Sequence, residues 1–294
     1  MTERFSVVIP VYGNEMTLRE LKDRLSATLR SMAVVDHELI FVDDASPDGS
    51  WAVIESMAST DPKVVGLRLE SNVGQLAAYC AGIDIARGEV LLALDADLEH
   101  PPEAIPQLVR ALRGGHDLVV AQRIGHAPEG IRLVGSRTVN LVARLLRLSV
   151  SDVGSSFLVC TPDVALAMRR VIERTRRQML LPTIFEDAAR NPTAVKVDML
   201  PSPTSAYSLP RAVGLFGEFL LVELGSTVAR RTLMASGGLL VVGVHPPFRR
   251  GALRWSAALA GLGILALLIP LAFRRDPSEP MYAVAARVGV GLGS

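Results

Sequence analysis

The stretch Val90-Leu-Leu-Ala-Leu-Asp-Ala-Asp-Leu-Glu-His-Pro-Pro-Glu103 joins a short apolar run to a dense group of acidic residues. The run Val90–Leu94 predicts a buried strand. Asp95, Asp97 and Glu99 follow at alternate positions, which an extended chain places on one side. Three carboxylates held together repel one another, so a divalent cation is their natural partner, and oxygen ligands favour Mg²⁺ or Mn²⁺. The alternative is a solvated acidic turn, because aspartates are common in turns.

The chain on either side of this stretch alternates apolar runs with runs of helical period. The predicted strands are Phe5–Val11, Glu38–Val42, Val64–Leu69, Val90–Leu94 and Asp117–Ala121. The predicted helices are Met16–Met32, Gly49–Ala58, Leu76–Ala86 and Pro101–Arg113. This alternation predicts an α/β fold with a Rossmann-like, mostly parallel sheet and helices on both faces. In such sheets ligands bind at the carboxyl ends of the strands.

The second half of the chain is less regular. Arg132–Leu148 and Pro162–Arg174 are predicted helices, and Ser156–Cys160 is a predicted strand. Pro182–Tyr207 is rich in proline and small polar residues, so it is predicted to be a loop.

Beyond residue 208 the sequence becomes strongly apolar, and the whole chain has a mean hydropathy of +0.33. We expect a catalytic domain over 1–208, amphipathic juxtamembrane helices over 209–232, hydrophobic membrane segments over 233–275 and a tail over 276–294. Ser256–Phe273 has about eighteen residues without a charge, which is long enough for a transmembrane helix candidate. A buried pair of core helices is the alternative for this region.

Composition narrows the class of protein. About half of the residues (49%) are hydrophobic and the net charge is +1, which fits neither a disordered chain nor a strongly basic nucleic-acid binder. Cys80 and Cys160 lie far apart with no CxxC pair, as expected in a reducing compartment. The N-terminus has no signal-peptide pattern. We therefore expect a cell-membrane location with the catalytic domain facing the cytoplasm.

Polar clusters follow the other predicted strands as well: Pro10–Glu15, Val42–Gly49 and Asn72–Gln75. Asp43 and Asp44 end a buried strand, where a carboxylate can accept hydrogen bonds from a base N–H or a ribose hydroxyl. The structural alternative for an aspartate here is to cap the next helix, and we assign that role to Asp48. Asn72 and Gly74 allow a tight turn close to a ligand.

Four of these motifs occur in order along the chain: IPVYGNE (9–15), VDDASPDGS (42–50), SNVGQLAAYCAGIDIARGE (71–89) and LLALDADLEHPPE (91–103). Together they resemble the motifs of inverting family 2 glycosyltransferases with the GT-A fold. Within that family they are most similar to dolichyl-phosphate mannose synthases and bacterial polyprenyl-phosphate glycosyltransferases. The resemblance is tight over roughly residues 5–125 and looser beyond.

The resemblance implies transfer of a sugar, with inversion, from a UDP- or GDP-sugar to a polyprenyl phosphate such as undecaprenyl or dolichyl phosphate. It implies Mg²⁺ or Mn²⁺ as cofactor, and membrane lipid as a partner; a homo-oligomer is compatible with it. A lipid phosphate is already an anion at neutral pH and needs no general base, whereas a sugar hydroxyl does. Arginines are suited to placing such a phosphate.

The resemblance also implies roles for single residues. Catalytic roles fall to Asp95, Asp97 and Arg123, and metal ligation falls to Asp95, Asp97 and Glu99. The nucleotide-sugar would be bound by Pro10, Tyr12, Glu15, Asp43, Asp44, Asn72, Gly74, Gln75, Asp95 and Ala96. The acceptor phosphate would be bound by Arg123, Arg132, Arg137 and Ser205.

Two positions depart from the pattern of that subgroup. Glu99 stands where glutamine is usual, which adds a negative charge near the metal. Ala206 stands where a lysine is usual, and no arginine matches the one that normally precedes it. The second departure removes a positive phosphate contact and leaves acceptor and donor specificity open.

Other functions remain compatible with the sequence. A family 2 enzyme that glycosylates a hydroxyl, in cell-wall or secondary-metabolite synthesis, would need a base such as Glu186, Asp187 or Asp152. A membrane-tethered scaffold built on a degenerate transferase domain is a second alternative. A nucleotidyltransferase is less favoured, because no glycine- and lysine-rich phosphate loop is present.

Overall fold

The computed structural model describes residues 3–124, 156–175, 188–199 and 280–289. All of them belong to one compact unit that comprises Met1–Ser205 and Pro280–Ser294.

The first part of the described chain alternates strands and helices as the sequence predicts. The strands are β1 (Phe5–Val11), β2 (His37–Asp43), β3 (Val64–Leu69), β4 (Val90–Ala93) and β5 (Leu118–Ile124). The helices are α1 (Leu18–Ser31), α2 (Ser50–Thr60), α3 (Gln75–Ile85) and α4 (Ile105–Arg113). The predicted helix Pro101–Arg113 is divided, because a short 3₁₀ turn (Pro102–Ala104) precedes α4.

The later described segments add β6 (Leu158–Cys160), α5 (Pro162–Thr175), β7 (Pro192–Asp198) and β8 (Val284–Val288). The eight strands form one sheet in the order β7-β5-β6-β4-β1-β2-β3-β8. β1 is parallel to β2 and β4, β2 is parallel to β3, and β5 is parallel to β7. β6 is antiparallel to β4 and β5, and β8 is antiparallel to β3. The prediction of a mostly parallel sheet is confirmed.

Helices cover both faces of the sheet, also as predicted. On one face Leu21, Leu25 and Leu29 recur along α1 at helical spacing and are fully buried against alternate residues of β1 and β2. Burial of each such side chain contributes about 1.5–3 kcal/mol. On the other face Ala78 of α3 packs on the opposite side chains of the same strands, and Met168 of α5 belongs to the same apolar cluster. The carboxyl ends of the central strands therefore lie between two apolar layers.

One sequence prediction is wrong. β7 lies inside the stretch Pro182–Tyr207, which was predicted to be a loop. Its side chains are mostly half-buried or exposed because it forms one edge of the sheet. The tail contributes the other edge strand, β8, which the sequence did not suggest. Edge strands gain their conformation from backbone pairing with a neighbour, so their own sequences carry little periodic signal.

The C-terminal prediction falls largely outside the described residues. Arg132–Leu148, the juxtamembrane stretch 209–232 and the hydrophobic stretch 233–275 are not among them. None of the helices within the described ranges has the length and apolar character needed to cross a bilayer.

Candidate active site

The polar clusters meet at one edge of the sheet. β1 and β2 pair so that Val11 lies opposite Asp43, and β1 and β4 pair so that Val8 lies opposite Ala93. The residues that follow these strands therefore emerge side by side, next to the start of α3. This is the position at which open α/β sheets bind ligands.

Asp95, the first acidic residue after β4, is held by three side chains. The side-chain amide of Gln75 donates to its Oδ1, and the hydroxyl of Tyr79 donates to the same oxygen at 3.3 Å. Ser156 donates to the other oxygen, Oδ2, at 2.5 Å. Each oxygen of Asp95 thus has a donor within the chain, which fixes the orientation of the carboxylate.

Asp95 is also held through its backbone. Its N–H donates to Nδ1 of His100 at 3.1 Å. The His100 ring is buried and stacks on Phe157, with 5.4 Å between ring centroids. Ser156 and Phe157 come directly before β6, so this antiparallel strand brings two supports of Asp95 to the site.

Asp97 lies in a different environment. Its carboxylate is half-buried and Oδ1 accepts the Glu99 N–H at 3.0 Å. Burial raises the pKa of Asp97 above its ordinary value, and the nearby charges of Asp95 and Glu99 raise it further, against the opposing effect of the Glu99 hydrogen bond. Leu98 between them has φ of +65°, a strained conformation for a branched side chain. The loop thus keeps the Asp97 carboxylate near the like charges of Asp95 and Glu99.

Glu99 contacts an arginine from a neighbouring strand. Its Oε1 lies 2.9 Å from Nη1 of Arg123, near the end of β5. Both side chains are partly exposed. The pair brings a guanidinium to the same edge of the sheet as Asp95 and Asp97.

Asp43 and Asp44 are both buried but are used differently. The two oxygens of Asp44 accept the N–H groups of Val73 and Gly74, each at 2.8 Å. Gly74 has φ of +97°, a conformation that favours glycine, so Asp44 holds the turn that leads into α3. The carboxylate of Asp44 therefore has a structural role, in addition to any contact with a ligand.

The two carboxylate oxygens of Asp43 differ in their contacts. Its Oδ1 accepts the Ser46 N–H at 3.1 Å. Its Oδ2 is buried and lies 3.3 Å from Nε of Arg68, but within the described ranges no donor makes a hydrogen bond with it. The Arg68 guanidinium in turn lies 5.9 Å from the ring centroid of Trp51. An N–H or O–H of a ligand would satisfy this oxygen.

The loop after β1 binds the start of α2. Glu15 Oε2 accepts the Gly49 N–H at 2.9 Å, and a Cβ on Gly49 would lie 2.6 Å from Glu15 Oε1. Asp48 accepts the Ser50 N–H at 3.1 Å, but the N-cap of α2 is Gly49, so Asp48 holds the turn before the helix and is not the N-cap that the sequence predicted. Tyr12 is 41% exposed beside this loop. Glu15 and Asp48 are exposed as well, but their carboxylates accept backbone N–H groups at the start of α2.

The structure thus gathers Asp95, Asp97, Glu99, Arg123 and Gln75 at one edge. Ala96 takes part through its carbonyl oxygen, which accepts the Thr17 hydroxyl at 2.6 Å. Pro10 is buried near the end of β1, and Asn72 is exposed. The remaining predicted residues fall outside the described ranges: Arg132, Arg137, Asp152, Glu186, Asp187, Ser205 and Ala206.

Three supports of Asp95 were not predicted: Tyr79, His100 and Ser156. Tyr79 follows Gln75 by four residues, so both lie on one face of α3, and this spacing was a usable signal. In contrast, Ser156 is 61 residues from Asp95 in sequence, and nothing local links them.

The metal prediction has a partial basis in this geometry. In the described part of the chain, no group of three His, Cys, Asp or Glu side chains is arranged to hold a metal ion. Carboxylate oxygens remain suitable ligands for Mg²⁺ or Mn²⁺, which also bind water and substrate phosphates. A metal here would therefore share its coordination between the chain and a phosphate-bearing ligand.

Residues 6–178 match the sequence profile of Glycosyl transferase family 2. The chain belongs to this family. The predictions of family and of a glycosyltransferase activity are confirmed. An undecaprenyl-phosphate 4-deoxy-4-formamido-L-arabinose transferase of Pseudomonas fluorescens (strain SBW25) is 33% identical over 272 residues, or 90% of this chain and 78% of its own. The enzyme of the same name from Pseudomonas paraeruginosa is 34% identical over 98% of this chain and 83% of its own.

Solved structures support the architecture. Glucosyl-3-phosphoglycerate synthase from Mycobacterium tuberculosis superposes with a TM-score of 0.54 at 17% identity, covering 74% of this chain and 78% of that one. A complex of the same enzyme with Mn²⁺, UDP-glucose and phosphoglyceric acid also has a TM-score of 0.54, at 18% identity, covering 76% of this chain and 79% of that one. At this identity the likeness shows the GT-A-like fold alone.

Proposed function

We propose that this family 2 glycosyltransferase transfers a sugar, with inversion, from a UDP- or GDP-sugar to a polyprenyl phosphate. The observation that carries the proposal is the meeting of Asp95, Asp97 and Arg123 at the carboxyl edge of the sheet. Carboxylates suited to a metal–diphosphate and a guanidinium suited to phosphate lie at one site. The names of the relatives, which act on undecaprenyl phosphate, favour that acceptor over a sugar hydroxyl.

The donor would be bound by the residues after β1, β2 and β4. Asp43 Oδ2 is buried and without a hydrogen-bond donor from the described chain, so it suits an N–H of the base or a ribose hydroxyl. Tyr12, in the loop after β1, offers an exposed ring. Pro10, Glu15, Asp44, Asn72, Gly74, Gln75 and Ala96 would shape this pocket through the backbone contacts described above.

Asp97 is the residue that we assign to the metal. Its carboxylate is half-buried and lies near the like charges of Asp95 and Glu99. A divalent cation would offset both the cost of desolvating this carboxylate and its repulsion by the other two. Asp95 is oriented by three side chains and would face the ribose and the metal with a fixed geometry. When bound, Mg²⁺ or Mn²⁺ neutralises charge on the leaving nucleoside diphosphate. A neutral isostere at Asp97 should remove this function without loss of packing.

The acceptor side of the site depends on positive charge rather than on a base. A phosphate monoester anion attacks the anomeric carbon without losing a proton, so the chain must place it, not activate it. Arg123 has the geometry for this, since a planar guanidinium binds phosphate oxygens in pairs. We propose that Arg132, Arg137 and Ser205 complete the acceptor site and that the apolar stretch over 233–275 meets the lipid. A membrane location with a cytoplasmic catalytic domain follows from that assignment.

The test is transfer of label into lipid. Membranes that contain the full chain are incubated with Mg²⁺ or Mn²⁺, undecaprenyl phosphate and a panel of radiolabelled UDP- and GDP-sugars, then extracted with organic solvent. Label in the organic phase that disappears with Asp97→Asn supports the proposal and names the donor. Release of nucleotide without label in the lipid would move the acceptor to a hydroxyl. In that case Glu186, Asp187 and Asp152 are the next residues to replace.

A further inference from the structure

The C-terminal segment, residues 280–289, is attached to the domain at two places. Its strand β8 pairs antiparallel with β3 at the edge of the sheet. Just before β8, the hydroxyl of Tyr282 donates to Oδ2 of Asp84, near the end of α3. The two residues are 198 positions apart in sequence, so the fold alone brings the end of the chain to this helix.

The path of the C-terminal segment is closely specified. Tyr282 packs on the apolar cluster that contains α3 and α5, whereas Val288 packs on the cluster on the other face of the sheet. Gly289 follows β8 with φ of +95°, and a Cβ at this position would overlap the carbonyl oxygen of Val64. The segment therefore passes from one face of the sheet to the other along the β3 edge, and its last described residue must be glycine.

Asp84 joins the C-terminal segment to two helices. Its Oδ1 pairs with Nε of Arg169 in α5, and its Oδ2 lies 3.1 Å from Nη2 of the same guanidinium. Nη1 of Arg169 lies 2.7 Å from Glu173, one turn further along α5. Burial and the neighbouring Asp84 carboxylate raise the pKa of Tyr282, so its hydroxyl keeps the proton that it donates. One carboxylate thus connects α3, α5 and the segment that contains Tyr282.

α3 depends on such contacts because it has little apolar surface with which to pack. Four of its buried residues are small: Ala77, Ala78, Ala81 and Gly82. Burial of apolar area contributes about 25 cal/mol per Å², so these residues stabilise the position of the helix less than the leucines of α1 do. Residues of both α3 and α5 also line a cavity, and side chains beside a cavity lack part of their dispersion contacts. The lining includes Leu76, Tyr79 and Ile83 of α3 and Ala165, Met168 and Ile172 of α5.

The other end of α3 faces the candidate active site. Gln75 and Tyr79, in its first two turns, both donate to Oδ1 of Asp95. Asp84 lies near the opposite end of the same helix, which has 11 residues. Because a helix of this length moves as a rigid element, a shift at Asp84 is transmitted to Gln75 and Tyr79.

We propose that the C-terminal segment holds α3 in place through Tyr282 and thereby positions Gln75 and Tyr79 against Asp95. Tyr282 is a positioning residue, since it acts on Asp95 through α3 and not by contact. The use of Asp95 in binding the donor rests on the proposed function, whereas the hold on α3 does not depend on it.

Hydrogen exchange gives the first test. The full chain is purified in detergent, and amide exchange in α3 and α1 is measured for the wild type, Tyr282→Phe and Gly289→Val. We expect α3 to exchange about fivefold faster in Tyr282→Phe and at least about tenfold faster in Gly289→Val, which should displace β8. Exchange in α1 should stay within about twofold of the wild type.

A matched control separates Tyr282 from the strand that follows it. Val284 is 45% exposed on β8, and Val284→Thr keeps a β-branched side chain and the backbone pairing with β3. This variant should exchange like the wild type. Unchanged exchange of α3 in Tyr282→Phe, or an equal increase in α1 and α3, would overturn the proposal.

A double variant tests whether Tyr282 acts through Asp84. Asp84→Ala removes the acceptor, so it should speed exchange of α3 at least as much as Tyr282→Phe does. The double variant of Tyr282→Phe and Asp84→Ala should exchange no faster than Asp84→Ala alone. Effects that add in the double variant would show that Tyr282 acts by another contact and would overturn the proposal.

Nucleotide binding then tests the effect on the site, with Mn²⁺ and UDP, and in parallel Mn²⁺ and GDP, as the probes. Calorimetry should show a Kd about threefold higher in Tyr282→Phe, with an unchanged number of sites per chain. A merely structural role would lower the number of sites and leave the Kd unchanged, and that result would overturn the positioning of Asp95. A wild type that binds neither nucleotide would contradict the proposed function, while exchange in α3 would still decide the role of Tyr282.

Discussion

Both ends of the parallel strands hold carboxylates, and the two ends use them in opposite ways. At the amino end, Glu38 Oε1 accepts from the Ser6 hydroxyl at 2.6 Å and from the Arg87 N–H at 2.7 Å. Nη2 of Arg4 lies 3.6 Å from its other oxygen, so a positive charge balances it. At the carboxyl end, Asp95, Asp97 and Glu99 lie near one another and Arg123 pairs with one of them.

This difference between the two ends means that one set of carboxylates contributes to stability and the other to activity. The amino-end network satisfies a charge within the chain and so contributes to folding. The carboxyl-end group keeps like charges close together, which costs stability until a positively charged ligand arrives. The same residue type thus stabilises the fold at one end and is held for binding at the other. Substitutions at the two ends should therefore have opposite effects on stability and activity.

Asp97→Asn should lower transfer by about 10²–10³-fold, because it removes charge that stabilises the leaving diphosphate through the metal. The same change should raise the melting temperature of the metal-free protein at pH 7. The folded pKa of Asp97 is raised, so its favourable contribution is present below its ordinary value of 3.8 and is lost as the pH rises through the folded pKa. A melting temperature that falls in this variant would contradict the contrast.

Glu38→Ala should have the opposite effects, because it should lower stability and leave transfer almost unchanged. It leaves the Ser6 hydroxyl and the Arg87 N–H without their shared acceptor in a buried site, at a cost of about 1–3 kcal/mol in the free energy of unfolding. Denaturant unfolding in detergent measures this cost, and Glu38→Gln, which keeps an acceptor oxygen, should lose less. The rate of transfer by the folded fraction should stay within about threefold of the wild type. A specific loss of transfer with unchanged stability would show that the two ends are coupled.

Ser156→Ala should lower transfer by about tenfold with little change in stability, because loss of an outer partner lets a positioned carboxylate rotate. Tyr79→Phe should lose less than Ser156→Ala, because its hydroxyl is farther from Asp95, at 3.3 Å rather than 2.5 Å. Steady-state kinetics on both variants give the order. Equal losses of transfer in the two variants would show that the donor–acceptor distance does not determine how much each contact contributes.

His37 should give a small pH effect at the amino end. Burial lowers its pKa below 6.5, and the charge of Lys63 lowers it further. Its contribution to stability is therefore present above pH 6.5 and is lost as the pH falls through the folded pKa. We expect the slope of melting temperature against pH between 7.5 and 5.5 to flatten in His37→Gln, by about 1–2 °C over the range. An unchanged slope would show that other groups set it.

Much of the fold could be predicted because each central element carries its own pattern. β1 is apolar on both faces since helices cover both, and α1 repeats leucine at helical spacing. β7 and β8 could not be predicted in this way. Their burial is mixed, and their conformation depends on the open edges of β5 and β3 rather than on their own residues.

The sequence predicted the location of the site better than the hydrogen bonds within it. The position of acidic clusters after strands indicated where Asp43, Asp44, Asp95 and Asp97 would gather. Sequence could not show that Asp44 would hold the turn before α3, or that Glu15 would bind the start of α2. Those contacts depend on loop geometry, and a carboxylate that faces a ligand has the same sequence signature as one that caps a turn.

The positions of β7 and β8 determine where the chain leaves the sheet and where it returns. They form the opposite margins of one sheet, separated by seven inter-strand spacings, or about 34 Å. The chain therefore leaves the sheet at one margin after Asp198 and rejoins it at the other at Val284. Since both attachment points belong to one folded body, they lie on the same side of any bilayer.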